Sequence, residues 1–147
     1  MAENSRKRCI EVMETYIEEI VAKGNTNLLR EISAEDVIDE TAVEAGLGSG
    51  IAGLEKHVKY FRKAVSDLKV TLDQVVASDD AVVGIWTVKG KHSAPLFDIK
   101  ATGRDISWTN VSIFRLEDGM LAHYRGVWGA LEAVKQMGVP ISLPEQT

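Results

Sequence analysis

Apolar residues recur at helical spacing in three stretches of the first half of the chain. Residues 6–23 place theirs on one stripe, and Gly24 then ends the helix, as glycine often does. Asn25 and Ser49 precede the second and third stretches, and both residue types commonly cap helix N termini. The pattern therefore predicts three N-terminal helices. The apolar stripe of the third helix consists of Ile51, Leu54, Val58, Phe61 and Val65.

After Asp67 the apolar period shortens to two residues, which is typical of strands. Turn sequences separate the alternating stretches, and a short extended segment, 37–41, lies between the second and third helices. A short helix over 130–137 follows the last strand. The later strands are predicted at 70–76, 81–92, 105–116 and 120–128.

Helices that are segregated from a run of antiparallel strands indicate an α+β fold. Long, twisted strands tend to curl. We therefore predict a cone-shaped, curved antiparallel or mixed β-sheet, with three N-terminal helices enclosing an apolar pocket. The length suits one domain, 1–147, with an ordered core of about 6–138 and a C-terminal tail at 139–147.

Charge and composition narrow the classes of function. A formal net charge of −5 opposes nucleic-acid binding, which needs a basic surface. The single cysteine cannot form an internal disulfide, so a reducing, cytoplasmic location is expected. No apolar run approaches the roughly 20 residues of a membrane span, and the glycine-rich phosphate loops and the serine-hydrolase motif are missing. We expect a small-molecule ligand, with no nucleic-acid and no membrane partner.

Alternation along the strands indicates which side chains face the pocket. Asp39 shares a face with Thr41, and a carboxylate beside an apolar pocket suits general acid or base catalysis. The alternative is a solvated carboxylate at the strand end. On the later strands the inward face carries His92, a residue type that titrates near neutrality, and Asn110 and Ser112, which can hydrogen-bond a substrate oxygen. Large aromatic residues share these faces and either fill a core or wall a flat apolar pocket; they are Trp86, Trp108, Tyr124 and Trp128.

The three histidines are too scattered to have metal-ligand spacing, so we expect no metal. His57 borders the apolar stripe of the third helix and can reach the pocket. His123 has the opposite parity to Tyr124 and faces away from it. Asp98 and Asp105 are interpreted as turn residues.

Five short motifs resemble the SnoaL-like polyketide cyclase branch of the nuclear-transport-factor-2-like superfamily, over nearly the whole chain. The resemblance implies the same cone-shaped fold, with homodimerisation through the convex face of the sheet. It also implies several chemistries: aldol and pyran-forming cyclases, dehydratases, ketosteroid isomerases, epoxide hydrolases, and non-catalytic binding modules. The motifs are Ala34-Glu35-Asp36-Val37, Gly90-Lys91-His92, Ala101-Thr102-Gly103-Arg104, Leu116-Glu117-Asp118-Gly119-Met120-Leu121 and Lys135-Gln136-Met137-Gly138.

The resemblance also implies roles for individual residues. Tyr16 matches the oxyanion-holding tyrosine of the ketosteroid isomerases, and Thr41 matches their general-base position. Ser112 matches their second aspartate, and His92 lies at the pocket mouth in the family pattern. The largest departure is on the last strand, where aromatic cyclases and epoxide hydrolases keep an aspartate. Here that region reads Arg125-Gly126.

These observations lead to one functional hypothesis and two alternatives. We expect a cofactor-independent cyclase that closes a ring, by pyran formation or dehydration, on an apolar polyketide or terpenoid-like carbonyl or enone intermediate. Asp39, helped by His92 or His57, would move a proton, and Tyr16 with Asn110 would hold the oxygen. The alternatives are an isomerase or epoxide hydrolase, and a non-catalytic binding or dimerisation module. The expected substrate-binding residues are Thr41, His57, Trp86, Trp108, Asn110, Ser112, Tyr124 and Trp128.

Overall fold

The computed structural model describes residues 2–141 and begins with a long helix. Helix α1 (Ala2–Glu14) continues without a break as a wider π-helical segment, Thr15–Val21. In that segment hydrogen bonds reach back five residues, as from the amide of Ala22 to the carbonyl of Ile17 at 3.0 Å. Such segments are rare in helices and occur often at functional sites.

The remaining helices are shorter, apart from the one that crosses the sheet. A 3₁₀ turn (Thr26–Leu28) leads into α2 (Leu29–Ile32), and α3 (Glu40–Glu44), α4 (Gly50–Ala64) and α5 (Ala130–Gln136) follow along the chain. Asn25 and Ser49 occupy the N-cap positions as expected, but neither side chain makes a capping hydrogen bond.

Five strands of the described chain form one sheet in the order β1-β5-β4-β3-β2. Strand β1 pairs parallel to β5, and the other neighbours pair antiparallel. The sheet is therefore mixed, as the fold prediction allowed. The strands are β1 (Ser33–Asp39), β2 (Val65–Ala77), β3 (Ala81–His92), β4 (Asp105–Glu117) and β5 (Met120–Trp128).

The predicted strands from 81 onward match the structure within one residue at each end. Strand β2 starts earlier than predicted, because it continues directly from α4. Strand β1 ends at Asp39 instead of position 41, since the Asp39 carboxylate caps α3 and turns the chain. The predicted tail at 139–147 lies outside the described residues from position 142 onward.

The sheet is curved, and α4 lies against its concave face. Register shifts in β2, between Ser66 and Lys69 and between Leu72 and Gln74, mark bulges of the kind that bend strands. Phe61 of α4 packs edge-on against three indoles of the sheet, with ring centroids 5.6–6.0 Å apart. Such aromatic burial stabilises the cone, and a Phe→Ala change in a core costs about 3–5 kcal/mol. The three indoles belong to Trp86, Trp108 and Trp128.

Candidate active site

A buried aspartate and a buried histidine form a close pair inside the cone. The Nδ1 atom of His57 lies 2.7 Å from Oδ2 of Asp39, and the two residues are 4% and 2% exposed. Asp39 is the last residue of β1, and His57 lies on the face of α4 that packs on the sheet. The pair therefore depends on α4 crossing the end of β1.

The other carboxylate oxygen of Asp39 is held by the backbone. Oδ1 accepts from the amides of Thr41 at 3.0 Å and Ala42 at 3.2 Å, which is the N-cap arrangement for α3. A carboxylate only accepts hydrogen bonds, so the proton between Asp39 and His57 belongs to Nδ1, and in a neutral imidazole the lone pair is then on Nε2. Among residues 2–141, the His57 ring makes its hydrogen bond at Nδ1, and none is found at Nε2.

Aromatic rings fix the plane of the His57 imidazole. Its ring stacks on Trp128, with centroids 5.9 Å apart and an angle of 16°, and meets Tyr124 edge-on at 5.8 Å. Both partners come from the inward face of β5. A ring held on two sides and at Nδ1 has its Nε2 directed along one line, which a general base requires.

His57 lies between two cavities. An inner cavity of about 10 Å³ is lined by Tyr16, Val21, His57, Val58, Phe61, Trp86, Tyr124 and Trp128. An outer cleft of about 470 Å³ opens beyond it. The predicted apolar pocket is thus divided: aromatic side chains fill most of the cone, and the ligand-sized space that shares His57 and Trp128 with the inner cavity is the outer cleft. The outer cleft is lined by Thr41, Ala45, Leu47, His57, Tyr60, Leu96, Phe97, Asp98 and Trp128.

Two buried tyrosines, Tyr16 and Tyr124, also line the inner cavity. Burial, with the charge of Asp39 added, raises the pKa of Tyr124 to about 12. Burial also raises the pKa of Tyr16 well above the usual value, and neighbouring Tyr124 and Asp39 add to that effect. Both phenols keep their protons at neutral pH and can donate hydrogen bonds. Tyr16, which sits in the π-helical segment, packs on Tyr124 at 5.5 Å.

Two further inward-facing residues of the sheet accept hydrogen bonds from neighbouring indoles. Ser112 accepts from Nε1 of Trp86 at 3.0 Å and lies 3.4 Å from the Tyr124 hydroxyl. Asn110 accepts from Nε1 of Trp108 at 2.7 Å. Neither Asn110 nor Trp108 lines the inner cavity or the outer cleft, and Asn110 Nδ2 has no partner among the described residues.

The expectation that His92 lies at the pocket mouth is wrong. Its side chain is fully buried and lines neither cavity. Its Nδ1 accepts from the Thr102 amide at 3.3 Å and lies 3.0 Å from the Thr102 hydroxyl. It lies six positions from Trp86 along β3, roughly 20 Å at the usual strand rise. Of the two histidines considered as partners of Asp39, the structure brings His57 to it.

Thr41 is also placed differently from the prediction. The prediction put its side chain on the inward face of a strand, whereas it belongs to α3 and lines the outer cleft. Its backbone amide, rather than its side chain, serves Asp39.

One wall of the outer cleft, formed by the turn at residues 96–99, was not predicted from the sequence. Leu96 and Ile99 pair through two backbone hydrogen bonds of 3.1 and 2.9 Å, which closes a tight turn. Phe97 and Asp98 occupy the turn with φ of 51° and 59°, a backbone region that non-glycine residues seldom adopt. Phe97 lies edge-on to Trp128 at 5.4 Å and covers it. Asp98 is a turn residue as predicted, but the turn forms part of the cleft.

The last strand carries Arg125 and Gly126 where the resemblance places the aspartate of aromatic cyclases and epoxide hydrolases. Arg125 and His123 point to the outer face, where both contact Glu40, at 3.7 and 3.1 Å. Gly126 faces inward between Tyr124 and Trp128. This inward position of β5 therefore carries no carboxylate.

Within residues 2–141, no three histidine, cysteine or acidic side chains cluster closely enough to hold a metal ion. In the same range, the helices are too short or too polar to cross a membrane.

The curved mixed sheet and its helices define the nuclear-transport-factor-2-like class of folds. The family model of the SnoaL-like polyketide cyclases matches residues 11–137, so the chain belongs to that family. No curated protein sequence matches the chain significantly.

Solved structures of other proteins share the fold of this chain. TsrD of Streptomyces laurentii is 26% identical with a TM-score of 0.81, and the match covers 90% of this chain and 96% of that one. A protein of Jannaschia sp. CCS1, assigned as a SnoaL-like polyketide cyclase, is 17% identical with a TM-score of 0.78, over 92% and 95%. IdmH of Streptomyces antibioticus, assigned as a polyketide cyclase, is 22% identical with a TM-score of 0.72, over 88% and 98%.

Proposed function

We propose that the chain is a cofactor-independent cyclase that closes an oxygen ring on an apolar enone, with His57 as general base. One observation carries the proposal: Asp39 holds Nδ1 of His57 at 2.7 Å, which leaves Nε2 free at the junction of the two cavities. A histidine with a carboxylate on one nitrogen and open space at the other is the usual arrangement of an acid–base catalyst.

The reaction needs one base and one oxygen holder. His57 Nε2 takes the proton of a substrate hydroxyl while the oxygen bonds to the β-carbon of the enone. The enone electrons move to the carbonyl oxygen and form an enolate. The proton on His57 then returns to the α-carbon, so the product is an isomer of the substrate. No carboxylate on β5 is required, in keeping with Gly126 at that position.

The shape of the outer cleft supports an apolar, ring-forming substrate. Its volume of about 470 Å³ lies in the range of small-molecule sites, and apolar side chains form most of its wall. Holding a flexible chain with both ends near His57 supplies the entropy that ring closure costs in solution. The same base could take a proton beside a carbonyl, which would serve a dehydrating closure or an isomerisation.

A model substrate tests the proposal directly. An aryl hydroxy-enone whose hydroxyl can form a six-membered ring loses its conjugated absorbance on closure, and chiral chromatography gives the handedness of the product. We expect the wild-type protein to accelerate closure and favour one enantiomer. His57→Gln should lower the rate by on the order of 10²- to 10⁴-fold, the usual contribution of a general base.

The matched control is His123→Gln, which removes a histidine from the outer face of β5. Its rate should stay within a few-fold of wild type. If His57→Gln keeps the wild-type rate, the base is wrongly assigned. If the wild type binds the enone but gives racemic product at the uncatalysed rate, a non-catalytic binding module replaces the cyclase.

Homodimerisation through the convex face and a cytoplasmic location stay predictions. Sedimentation of the purified chain tests the first, and fractionation of producing cells tests the second.

A further inference from the structure

We infer that the Tyr124 hydroxyl and the Trp128 indole N–H form a two-donor seat for a single substrate oxygen, above Gly126. The ligand class is a carbonyl oxygen, which becomes an enolate oxygen during reaction. The inference rests on the proposed function only for that last step, since the seat itself is a binding site. It replaces the expected oxygen holders, Tyr16 and Asn110.

The geometry converges on Gly126. A β-carbon built on this glycine would lie 3.1 Å from the Tyr124 hydroxyl oxygen and 3.2 Å from Nε1 of Trp128. The phenol, two residues before the glycine on β5, and the indole, two residues after it, therefore both place their polar atoms next to Gly126. Because glycine has no side chain, an acceptor atom above it comes between the two donors.

Both donors lack a good acceptor within the described part of the chain. Nε1 of Trp128 makes no hydrogen bond there, whereas the indoles of Trp86 and Trp108 donate to Ser112 and Asn110 at 3.0 and 2.7 Å. The hydroxyl of Tyr124 lies beside the hydroxyls of Tyr16 and Ser112, and the contact with Ser112, at 3.4 Å, is long for an O–H···O bond. Trp128 is only partly buried, at the point where the two cavities meet, so its free N–H is accessible to a ligand oxygen, and the Tyr124 phenol can donate to the same atom.

The space beside the donors has the size of one atom. Tyr124 and Trp128 line the inner cavity, whose volume of about 10 Å³ corresponds to about one water-sized probe. Trp128 and His57 also line the outer cleft. A carbonyl oxygen thus fits the inner cavity while the carbon skeleton stays in the cleft, and His57 lies beside the atoms that react.

The expected holders are less well placed. Asn110 has a free Nδ2 donor, but its side chain lines neither the inner cavity nor the outer cleft. Tyr16 lines the inner cavity, but its hydroxyl interacts with Tyr124. Tyr16 is thus a positioning residue that supports the Tyr124 phenol.

Two ligands that differ only in the ketone oxygen separate the contribution of that oxygen to binding from the contribution of the carbon skeleton. Tetralone, a bicyclic aryl ketone, and tetralin, the same skeleton without oxygen, are titrated into ¹⁵N-labelled protein. We expect tetralone to shift the Trp128 indole proton downfield and tetralin to leave it nearly unchanged. The indole protons of Trp86 and Trp108, which already have acceptors, should move less with either ligand.

Variants test each half of the seat through the ratio of ketone to hydrocarbon affinity. Trp128→Phe removes one donor and should lower the ratio roughly tenfold, the usual effect of one lost hydrogen bond. Gly126→Ala keeps both donors but fills the seat, and it should lower the ratio at least as much. Trp108→Phe is the matched control and should leave the ratio unchanged.

Several outcomes would overturn the seat: no ketone preference in wild type, an unchanged preference in Trp128→Phe and Gly126→Ala, or a larger shift at Trp86 or Trp108 than at Trp128. His57→Gln separates this inference from the proposed function. It should stop ring closure while keeping the ketone preference, so loss of the cyclase leaves the seat testable.

Discussion

His57 and His92 are both almost completely buried, yet their Nδ1 atoms have opposite hydrogen-bonding roles. His57 donates from Nδ1 to the Asp39 carboxylate, and its Nε2 lone pair faces the cavities. His92 accepts at Nδ1 from the Thr102 amide, so its proton is on Nε2, which has no partner among the described residues. One ring can take a proton from a ligand; the other has no free lone pair to do so.

The difference shows that the partner of Nδ1, rather than burial, decides what a buried histidine can do. When a carboxylate accepts from Nδ1, the lone pair on Nε2 is available as a base. When a backbone amide donates to Nδ1, the lone pair of the neutral ring is used there and the ring has only a structural role. The loop over 93–104 connects the two regions, because Thr102 holds His92 while Phe97 covers Trp128 beside His57.

Of the changes that test this comparison, Asp39→Asn should have the largest effect on the rate of ring closure. The amide can still cap α3, since asparagine is a good N-cap, but it no longer fixes the Nδ1 proton of His57. We expect closure of the hydroxy-enone to slow by on the order of 10²- to 10³-fold with nearly wild-type thermal stability. A rate within a few-fold of wild type would show that Asp39 serves only as a cap.

His92→Leu should show the structural side of the comparison. It removes the acceptor of the Thr102 amide, and an unpaired buried donor costs about 1–3 kcal/mol of the free energy of unfolding. The rate of closure, measured well below the melting temperature, should stay within a few-fold of wild type. A loss of activity as large as that of His57→Gln would return His92 to the catalytic site.

The two buried tyrosines predict a loss of stability at alkaline pH. Their pKa values are raised in the folded protein, so the unfolded chain releases these protons first as pH rises through about 10. The stability is fully present below that pH, and each group lowers the free energy of unfolding by about 1.4 kcal/mol per pH unit above it.

Urea unfolding between pH 9 and 11, a range set by the usual tyrosine pKa of about 10, measures this slope. Tyr124→Phe and Tyr16→Phe should each make it shallower. Tyr60→Phe is the control, since Tyr60 is 42% exposed. Equal slopes in all four proteins would contradict the burial of the two phenols.

Phe97→Ala should change ligand binding only slightly. It tests whether the surroundings of His57 and His92 are independent of each other. It removes the cover of Trp128 and also a bulky residue at a φ of 51°. We expect a three- to tenfold weaker affinity for tetralin, about 1 kcal/mol of lost apolar contact, with little change in stability. The NMR resonances of His92 should not move. If they do, the loop couples the two histidines.

The sequence was enough to predict most of the fold. Alternation predicted β3, β4 and β5 within a residue at each end, because period two follows from strand geometry itself. It also placed Asp39, Trp86 and Tyr124 on inward faces, where all three are buried. The end of β1 was missed because capping of α3 by Asp39 depends on a local turn that alternation does not detect.

Periodicity along the chain therefore determined the α+β architecture, the inward faces and the set of polar side chains inside the cone. Only the tertiary structure decided which of them meet. Asp39 and His57 are brought together by α4 crossing the end of β1, and Gly126 becomes a seat only where the two rings beside it lean inward. Hydrogen-bond partnership depends on distances of a few ångströms between segments far apart in sequence, and residue order along one chain does not specify those distances.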